Sequence, residues 1–548
     1  MTFARVTDRY SAEEIEQFYA TGAWRRETFF DLLEQQAELR PDKVFLTDDT
    51  TSVTFGGLRD GALRLARGLR RAGISQGDRV CVQIPNWVEF GQIALALSRI
   101  GAIMVPIMPI YRLDEVGYIV RNSGAKMAIT CHTFKKFDYA AMYRSIQQDV
   151  PTLRQIVLAR GEADGTTPLK ALEADADLTE LGPGVGPDDH FVIVYSSGTT
   201  SRPKGCLHTF NAMACGSRLL AKGFGYSEAD IQFGPSPITH TTGLVTSILL
   251  PLMHGAASHI MEVWEPKAGL AHIKRFGCTL AVTATTFLQM LMDVYDPEQH
   301  DASSLRVWVA AGAPIPAAFV EQAANLLPGC RVLSLYGRTE NVTTSMCTVA
   351  DDPARSLTSD GRVLPGSSVK IVDAQGNEVP RGQEGDIAYR GPMHMLEYIG
   401  NPVETEALFT PEGYSRSGDL GVMDADGYIR VTGRIKDIVI RGGMNISVRQ
   451  VEDLLTGHPA VAAAAVVGMP DRRLGERICL YLVPRTAHEN VTLDEIKEFL
   501  LGQGLAIQKM PERLEVVPEL PMTATGKIQK HRLRADIAEK VKAAETTV

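Results

Sequence analysis

The hydrophobic pattern of the first quarter of the chain alternates between two periods. Apolar residues recur at helical spacing in three segments, at residues 28–40, 57–72 and 90–100. Between them, short β-branched runs at 43–55, 79–84 and 127–130 predict strands, the first being two strands joined at Asp48-Asp49. Strands that alternate with helices are typical of βαβ units, so this region predicts a largely parallel sheet.

The same alternation resumes in the middle of the chain. Strands are predicted at residues 257–261, 280–283, 307–311 and 331–336. Helices are predicted at 244–253 and 267–276 and near Leu288 and Phe319. Two stacked α/β units account for both regions.

The pattern changes again towards the C-terminus. From about residue 360 to 432 helical periodicity is lost, and short extended runs at 369–372, 386–389 and 428–431 predict a small β-barrel or sheet. After Gly433, strands near 438–440, 463–467 and 478–483 and helices near 448–455 and 493–501 predict a small α+β unit. The predicted fold is therefore α/β, with two stacked α/β subdomains and a small β-barrel within residues 1–434. A small, mobile α+β domain follows at 435–548.

Composition narrows the class of protein. The 548 residues are 45% hydrophobic and 22% charged, as in an ordinary globular protein. A formal net charge of −9 offers no basic footprint for nucleic acid. The eight cysteines are scattered without a C-x-x-C pair or a zinc-site spacing, which indicates reduced thiols. No apolar run approaches the ~20 residues of a membrane span, and the first residues lack a signal-peptide core, so a cytoplasmic protein is expected.

A loop rich in glycine, hydroxyl groups and positive charge follows the apolar run at residues 191–195. Glycine lets backbone N–H groups approach an anion, hydroxyls add donors and a lysine neutralises charge, which suits a polyphosphate. The spacing differs from a Walker A loop, since Gly205 follows the lysine. The candidate phosphate-binding residues are Ser196, Ser197, Gly198, Thr199, Thr200 and Lys204.

This loop resembles the phosphate loop of the adenylate-forming superfamily, with the pattern [ST]-[ST]-G-[ST]-T-G-x-P-K-G. The sequence departs from that pattern once, with Ser201 in place of glycine. Further segments match superfamily motifs in the same order, and they lie at residues 336–340, 414–419, 433–437, 441–446 and 521–527. Five short motifs follow the superfamily's order and are distributed over most of the chain. The sequence is therefore identified as a member of this superfamily. The resemblance implies an AMP-binding domain at 1–434 and a C-terminal lid at 435–548.

The resemblance also implies roles for individual residues. Lys527 would bridge the substrate carboxylate and the α-phosphate of ATP, Thr339 would bind the α-phosphate, and Glu340 would ligate Mg²⁺. Asp419 would hold the ribose, Arg434 the ribose or phosphate, and Lys436 would act as the hinge residue. The remaining nucleotide contacts implied are Tyr336 and Gly337 and the adenine-facing turn Gly312, Ala313 and Pro314. His240 would border the acyl pocket, together with Thr285 and Phe287.

Among superfamily members, the chain most resembles bacterial medium-chain fatty acid and alicyclic or aryl acid CoA ligases. The resemblance implies ATP, CoA and a hydrophobic carboxylic acid as substrates. The segment 239–242, Thr-His-Thr-Thr, lacks the aspartate that holds an amino acid substrate, so amino acid activation is disfavoured. An acyl- or aryl-adenylating enzyme that loads a carrier protein stays open as the alternative. A non-catalytic binding module is disfavoured because Lys527, Glu340 and Asp419 are all present. The oligomeric state is open, with a homodimer as one arrangement.

Overall fold

The computed structural model describes residues 3–174, 180–196, 202–312, 315–485, 491–523 and 526–546. Six residues with predicted roles lie outside this part of the chain, namely Ser197, Gly198, Thr199, Thr200, Ala313 and Pro314.

The first half of the chain contains eleven described strands and nine described helices. The strands are β1 Val44–Thr47, β2 Ser52–Thr54, β3 Arg79–Gln83, β4 Ile103–Pro106, β5 Met127–Thr130, β6 Thr133–Phe134, β7 Phe137–Asp138, β8 Gln155–Leu158, β9 Thr167–Pro168, β10 His190–Ser196 and β11 Lys204–Thr209. The helices are α1 Val6–Arg9, α2 Ala12–Ala20, α3 Phe29–Leu39, α4 Phe55–Arg71, α5 Val88–Ile100, α6 Leu113–Ser123, α7 Tyr139–Asp149, α8 Leu169–Ala174 and α9 Phe210–Phe224.

The middle of the chain continues the α/β alternation and then becomes β-rich. Its described strands are β12 Ile231–Gly234, β13 Ala257–Ile260, β14 Leu280–Ala284, β15 Val307–Ala311, β16 Arg331–Tyr336, β17 Ser345–Met346, β18 Arg362–Val363, β19 Ser368–Val372, β20 Gly385–Arg390, β21 Ser415–Met423 and β22 Ile429–Arg434. Its helices are α10 Thr241–Gly243, α11 Leu250–His254, α12 Pro266–Phe276, α13 Thr285–Val294, α14 Ala317–Leu326, α15 Ala354–Thr358 and α16 Pro402–Ala407. A π-helical segment, Leu244–Leu249, joins α10 to α11.

Two mostly parallel sheets confirm the predicted pair of α/β units. The first has the order β11-β10-β4-β3-β5-β8-β9, and the second has the order β18-β17-β16-β15-β14-β12-β13-β1-β2. Strands β14, β15 and β16 run parallel in register, so their carboxyl ends meet at one edge. Ligands of open α/β sheets bind at such edges. The two short strands predicted within residues 43–55 are β1 and β2, and β1 joins the second sheet by pairing with β13.

The β-rich region is a four-stranded antiparallel sheet in the order β19-β20-β21-β22. Contrary to the sequence pattern, it also contains a helix, α16. This helix has only six residues, which is too short to show a hydrophobic period, and its start is marked by Asn401, whose side chain accepts a hydrogen bond from the Glu404 backbone N–H at 3.2 Å.

The C-terminal elements form a separate sheet and core, as the sequence predicts. Strands β23 Val439–Arg441, β24 Met444–Ile446, β25 Val461–Asp471, β26 Gly475–Pro484 and β27 Arg513–Val516 make one five-stranded sheet. Helices α17 Arg449–Leu455, α18 Leu493–Gly502 and α19 Lys530–Thr546 accompany it. Two short 3-10 turns lie at Ile435–Asp437 and Ile507–Lys509. No helix within the described ranges combines the length and apolar character that a membrane crossing requires.

Candidate active site

Lys527 extends from the C-terminal domain to the edge where the parallel strands of the second sheet end. Its neighbour there is Gly312, which directly follows β15 and has φ +72°, a conformation that favours glycine. A Cβ atom at Gly312 would lie 3.4 Å from Cε of Lys527. Gly526, with φ +77°, packs so tightly on α13 that a Cβ would lie 2.2 Å from Oγ1 of Thr286. The two glycines therefore let the lysine segment dock closely on the large domain.

The environment of Lys527 lowers its pKa to about 8. Burial is the main cause, because a desolvated ammonium loses hydration, and the positive charge of Arg434 adds to the effect. The carboxylates of Asp419 and Glu340 act in the opposite direction. A lysine in this setting changes its charge just above neutral pH.

A cavity of about 80 Å³ opens beside Lys527. Most of its wall is apolar and is contributed by Leu220, Val245, Val282, Phe287, Leu335 and Val342. His240, Gly312, Gly337 and Thr339 also line it, whereas Thr285, at the start of the same helix as Phe287, is not part of the wall. Of the three residues predicted to border an acyl pocket, His240 and Phe287 therefore line this cavity and Thr285 does not.

Two polar residues of the α10 turn, His240 and Thr241, line the cavity. The pKa of His240 falls to about 3, because of its burial and then the positive charge of Lys527, so the imidazole is neutral at physiological pH. Its Nδ1 accepts a hydrogen bond from the Thr242 backbone N–H at 3.4 Å. Thr241 lines the same cavity, and its buried Oγ1 makes no hydrogen bond to any described residue. The cavity is thus bordered by a residue with a neutral imidazole and by Thr241, whose unpaired hydroxyl is buried.

Tyr336, Asp419 and Arg434 form one connected cluster. The Tyr336 hydroxyl donates a hydrogen bond to Oδ2 of Asp419 at 2.7 Å, and Nε of Arg434 lies 2.7 Å from Oδ1. Asp419 and Arg434 are directly paired across β21 and β22, whereas Tyr336 comes from the end of β16. Asp419 is buried, and its charge raises the pKa of Arg434. The cluster places a carboxylate and a guanidinium side by side at the end of β21 and β22.

Two residues that no motif indicated, His208 and Tyr398, hydrogen-bond to the segment that follows β16. Nε2 of buried His208 donates to the Thr339 carbonyl at 2.7 Å, and burial lowers the pKa of His208 to about 4. The Tyr398 hydroxyl donates to Oε1 of Glu340 at 2.7 Å. These two hydrogen bonds hold Thr339 and Glu340 in position.

Lys204 sits at the described end of the phosphate loop. It pairs with Ser196 across β10 and β11, so the loop between them is closed by a strand pair. Its ammonium lies 2.7 Å from Oε2 of Glu404 and 5.1 Å from the ring centroid of Tyr398. Tyr398 therefore contacts both Glu340 and Lys204, two candidate residues that are far apart in sequence.

Lys436 lies in the 3-10 turn that follows β22 and leads into the C-terminal domain. Burial and the charge of Arg434 lower its pKa. The guanidinium of Arg534, from α19, donates to the Lys436 carbonyl at 3.2 Å and pairs with Asp437. The predicted hinge is therefore held by the last helix.

Of the described candidates, those that line the cavity are His240, Phe287, Gly312, Gly337, Thr339 and Lys527. Tyr336, Asp419 and Arg434 form one cluster, and Glu340 and Lys204 are linked through Tyr398. Ser196 is placed only by its strand pairing with Lys204. Sequence reasoning missed His208, Tyr398 and Glu404. The only local signal near the last two was the Asn-Pro pair that begins α16.

Comparison with known proteins shows the family to which the chain belongs. Residues 33–399 match the family described as AMP-binding enzyme, and residues 450–527 match the AMP-binding enzyme C-terminal domain. The medium-chain fatty-acid–CoA ligase of Escherichia coli (strain K12) is 34% identical over 540 residues, covering 98% of this chain and 95% of that protein. The 2,3-dihydroxybenzoate-AMP ligase of Bacillus subtilis (strain 168) is 32% identical, covering 96% and 97%. The crystal structure of the anthranilate CoA ligase AuaEII with anthranoyl-AMP superimposes with a TM-score of 0.87 at 28% identity, covering 95% and 98% of the two chains.

Proposed function

Because this chain belongs to the AMP-binding family of ATP-using, adenylate-forming enzymes, we propose that it is a carboxylic acid:CoA ligase. In the first half-reaction a substrate carboxylate oxygen attacks the α-phosphorus of ATP, and the bond to the β-phosphate breaks with release of pyrophosphate. In the second, the thiol of CoA attacks the acyl carbon and AMP leaves. The observation that carries the proposal is the approach of Lys527 to Gly312 beside the apolar cavity.

Lys527 lowers the repulsion between two anions in the first step. Its ammonium stands between the cavity, which suits the acid, and the Asp419–Arg434 pair, which suits the ribose. A fixed positive charge in a partly buried site stabilises developing negative charge more than it would in water. Lys204 neutralises the β- and γ-phosphates after it leaves Glu404. The boundary between the two domains is proposed at residues 434 and 435, next to Lys436.

Glu340 is the proposed protein ligand for Mg²⁺. The ion favours one or two carboxylates together with phosphate oxygens. The Glu340 carboxylate, held by Tyr398, which also contacts Lys204, fits that preference. When bound, Mg²⁺ would neutralise charge on the phosphates. The contribution of the chain is to hold the Glu340 carboxylate in place.

The cavity supports a compact hydrophobic acid as substrate. Medium-chain, alicyclic and aromatic acids are the proposed classes, because the wall is mainly apolar. The cavity has a volume of about 80 Å³, against ~150 Å³ for a cavity known to hold benzene, so each of these classes of acid requires the cavity to enlarge on binding. Thr241 lines the cavity and has a buried, unpaired hydroxyl, which is proposed to bond a hydroxyl or amino substituent of the acid after its side chain changes rotamer.

Loading of a carrier protein is the second candidate function. It is supported by 30% identity to the salicyl-AMP ligase / salicyl-S-ArCP synthetase of Mycobacterium tuberculosis (strain ATCC 25618 / H37Rv), covering 93% of that protein. Both functions share the first half-reaction and differ only in the thiol that accepts the acyl group.

The test is pyrophosphate release with ATP, Mg²⁺ and a panel of acids, with and without CoA. The panel holds straight-chain fatty acids, cyclohexanecarboxylate, and benzoates with and without hydroxyl or amino groups. Continuous turnover that requires both one acid class and CoA would support the ligase. A single stoichiometric burst that CoA leaves unchanged would overturn it in favour of a carrier-protein acceptor.

A further inference from the structure

Two histidines and an aspartate converge on the second sheet, and none of them lines the cavity described above. The residues are Asp49, His259 and His272, and one ligand-capable atom from each lies within 4.8 Å of the others. They come from the β1–β2 turn, from β13 and from α12. We propose that these three residues bind a divalent transition metal ion, with Zn²⁺ as the best match.

The spacing of the donor atoms is close to that of a tetrahedral site. Nε2 of His259 lies 2.8 Å from Nδ1 of His272, and that Nδ1 lies 3.8 Å from Oδ1 of Asp49. Zinc bonds of about 2.0–2.1 Å at tetrahedral angles separate two ligand atoms by roughly 3.3–3.4 Å. These two separations each differ from that value by about half an ångström, and the His259 and Asp49 donor atoms lie within 4.8 Å of each other. Small side-chain rotations therefore convert the imidazole–imidazole hydrogen bond into two metal bonds.

The fold holds the two imidazoles firmly. His259 is buried between its strand neighbours, paired with Thr47 of β1 and Phe233 of β12. Its ring stacks on Phe276 with the ring centroids 3.9 Å apart. Phe276 lies one helical turn after His272, so the same helix face carries the stacking ring and the second ligand. Rigid elements of this kind keep ligands in place better than loops do.

The third ligand and the route for the ion lie on the solvent side. The Asp49 side chain is 34% exposed and that of His272 is 18% exposed, so an ion can enter and keep a water molecule in the fourth position. The turn that carries Asp49 is itself ordered, because Asp48 accepts hydrogen bonds from the Thr50 and Thr51 backbone N–H groups at 2.8 and 2.7 Å.

Donor chemistry favours zinc over magnesium. Imidazole nitrogens suit zinc, copper and nickel, whereas Mg²⁺ prefers oxygen ligands and retains its waters. The neighbouring cation on α12, Arg275, is exposed and lies 4.9 Å from the ring centroid of Phe276. Asp48, next to the site, is neutralised by Arg160 at 2.6 Å.

A bound Zn²⁺ would join a turn, a strand and a helix and would stabilise the native state.

The experiment is isothermal titration of the full chain, previously treated with a chelator, with Zn²⁺ in the presence of excess Mg²⁺. One equivalent of Zn²⁺ is expected to bind and to raise the melting temperature. His272→Gln and Asp49→Asn keep size and remove a ligand, and each is expected to weaken binding by about tenfold or more. His300→Gln, at a histidine outside the cluster, is the matched control and should bind as the parent does.

Cobalt supplies a readout that a structural role alone would not change. Co²⁺ in the parent protein should give the visible absorption of a tetrahedral centre, and His272→Gln should lose it. Pyrophosphate release with Mg²⁺ should be unchanged in His272→Gln, which separates this site from the proposed catalytic one. Absence of stoichiometric Zn²⁺ binding, or equal binding by the parent and both ligand variants, would overturn the proposal.

Discussion

Protonation of Lys527 is expected to control the first half-reaction. With a pKa of about 8, the free enzyme carries the ammonium in about 90% of molecules at pH 7 and in about 10% at pH 9. Since the folded-state pKa is lowered from 10.5, the active protonated form is lost as the pH rises through about 8. The kcat/KM for pyrophosphate release should therefore fall about tenfold per pH unit above that value.

The same reasoning predicts a difference between kinetic parameters. Triphosphate and carboxylate bring negative charge to Lys527 and raise its pKa in the complex, so kcat should keep its value to higher pH than kcat/KM. Lys527→Ala should lower the adenylation rate by about 10²–10³-fold, or roughly 3–4 kcal/mol, and leave thioester formation from supplied acyl-adenylate nearly unchanged.

Lys527→Arg is the matched variant for the pH dependence. Its guanidinium stays charged up to about pH 12 or above, so the fall in kcat/KM near pH 8 should disappear even though the absolute rate drops. Pyrophosphate exchange and single-turnover thioester formation, each followed from pH 6 to about 10, are the assays. An unchanged fall in Lys527→Arg, or an equal loss of both half-reactions in Lys527→Ala, would refute the role of Lys527.

Three further variants test the site. Asp419→Asn should raise the KM for ATP by about tenfold to 100-fold, because a charge-assisted bond to the ribose is lost and Arg434 is left without its partner, as initial rates against ATP would measure. Glu404→Gln should lower the KM for ATP by up to about fivefold, because a half-exposed ion pair of at most about 1 kcal/mol no longer competes for Lys204. Thr241→Val should lower kcat/KM about threefold to tenfold for an acid with a hydroxyl or amino group, and leave an unsubstituted analogue unaffected, in the same acid panel.

For each of these variants, one outcome would contradict the role proposed for the residue. An unchanged KM for ATP in Asp419→Asn would remove that residue from the nucleotide site. A raised KM in Glu404→Gln would mean that the glutamate positions the lysine instead of competing for it. Equal effects of Thr241→Val on both kinds of acid would indicate a packing role.

Many of the strands and helices could be predicted from the sequence. Residues 307–311 and 331–336 are strands within the predicted limits, because continuous apolar runs bounded by turn residues have few other solutions in a buried sheet. Some residues of separate motifs are neighbours in the structure, because Lys527 approaches Gly312 and Tyr336 bonds to Asp419. The π-helical segment at Leu244–Leu249 was predicted only as a helix, since an apolar run buried on all sides has no period that separates one helix type from another.

Contacts between distant segments were decided by the tertiary structure. Tyr398 meets Glu340 and Lys204, and His208 meets Thr339, through packing that leaves no mark in a single sequence. The lowered pKa of Lys527 also depends on burial between two domains, which a motif does not encode.

The cluster of Asp49, His259 and His272 on the second sheet shows most clearly what depends on tertiary structure. No Cys/His spacing in the chain is typical of a zinc site, yet His259 and His272 meet Asp49, more than 200 residues away in sequence. They meet because β1 adds to the sheet beside β13, and pairing register, set by the burial of both strand faces, brings Thr47 opposite His259. Sequence alone determined the elements and the type of chemistry. Strand order, and with it the neighbours of each side chain, required the folded chain, because non-local pairing depends on how whole elements pack.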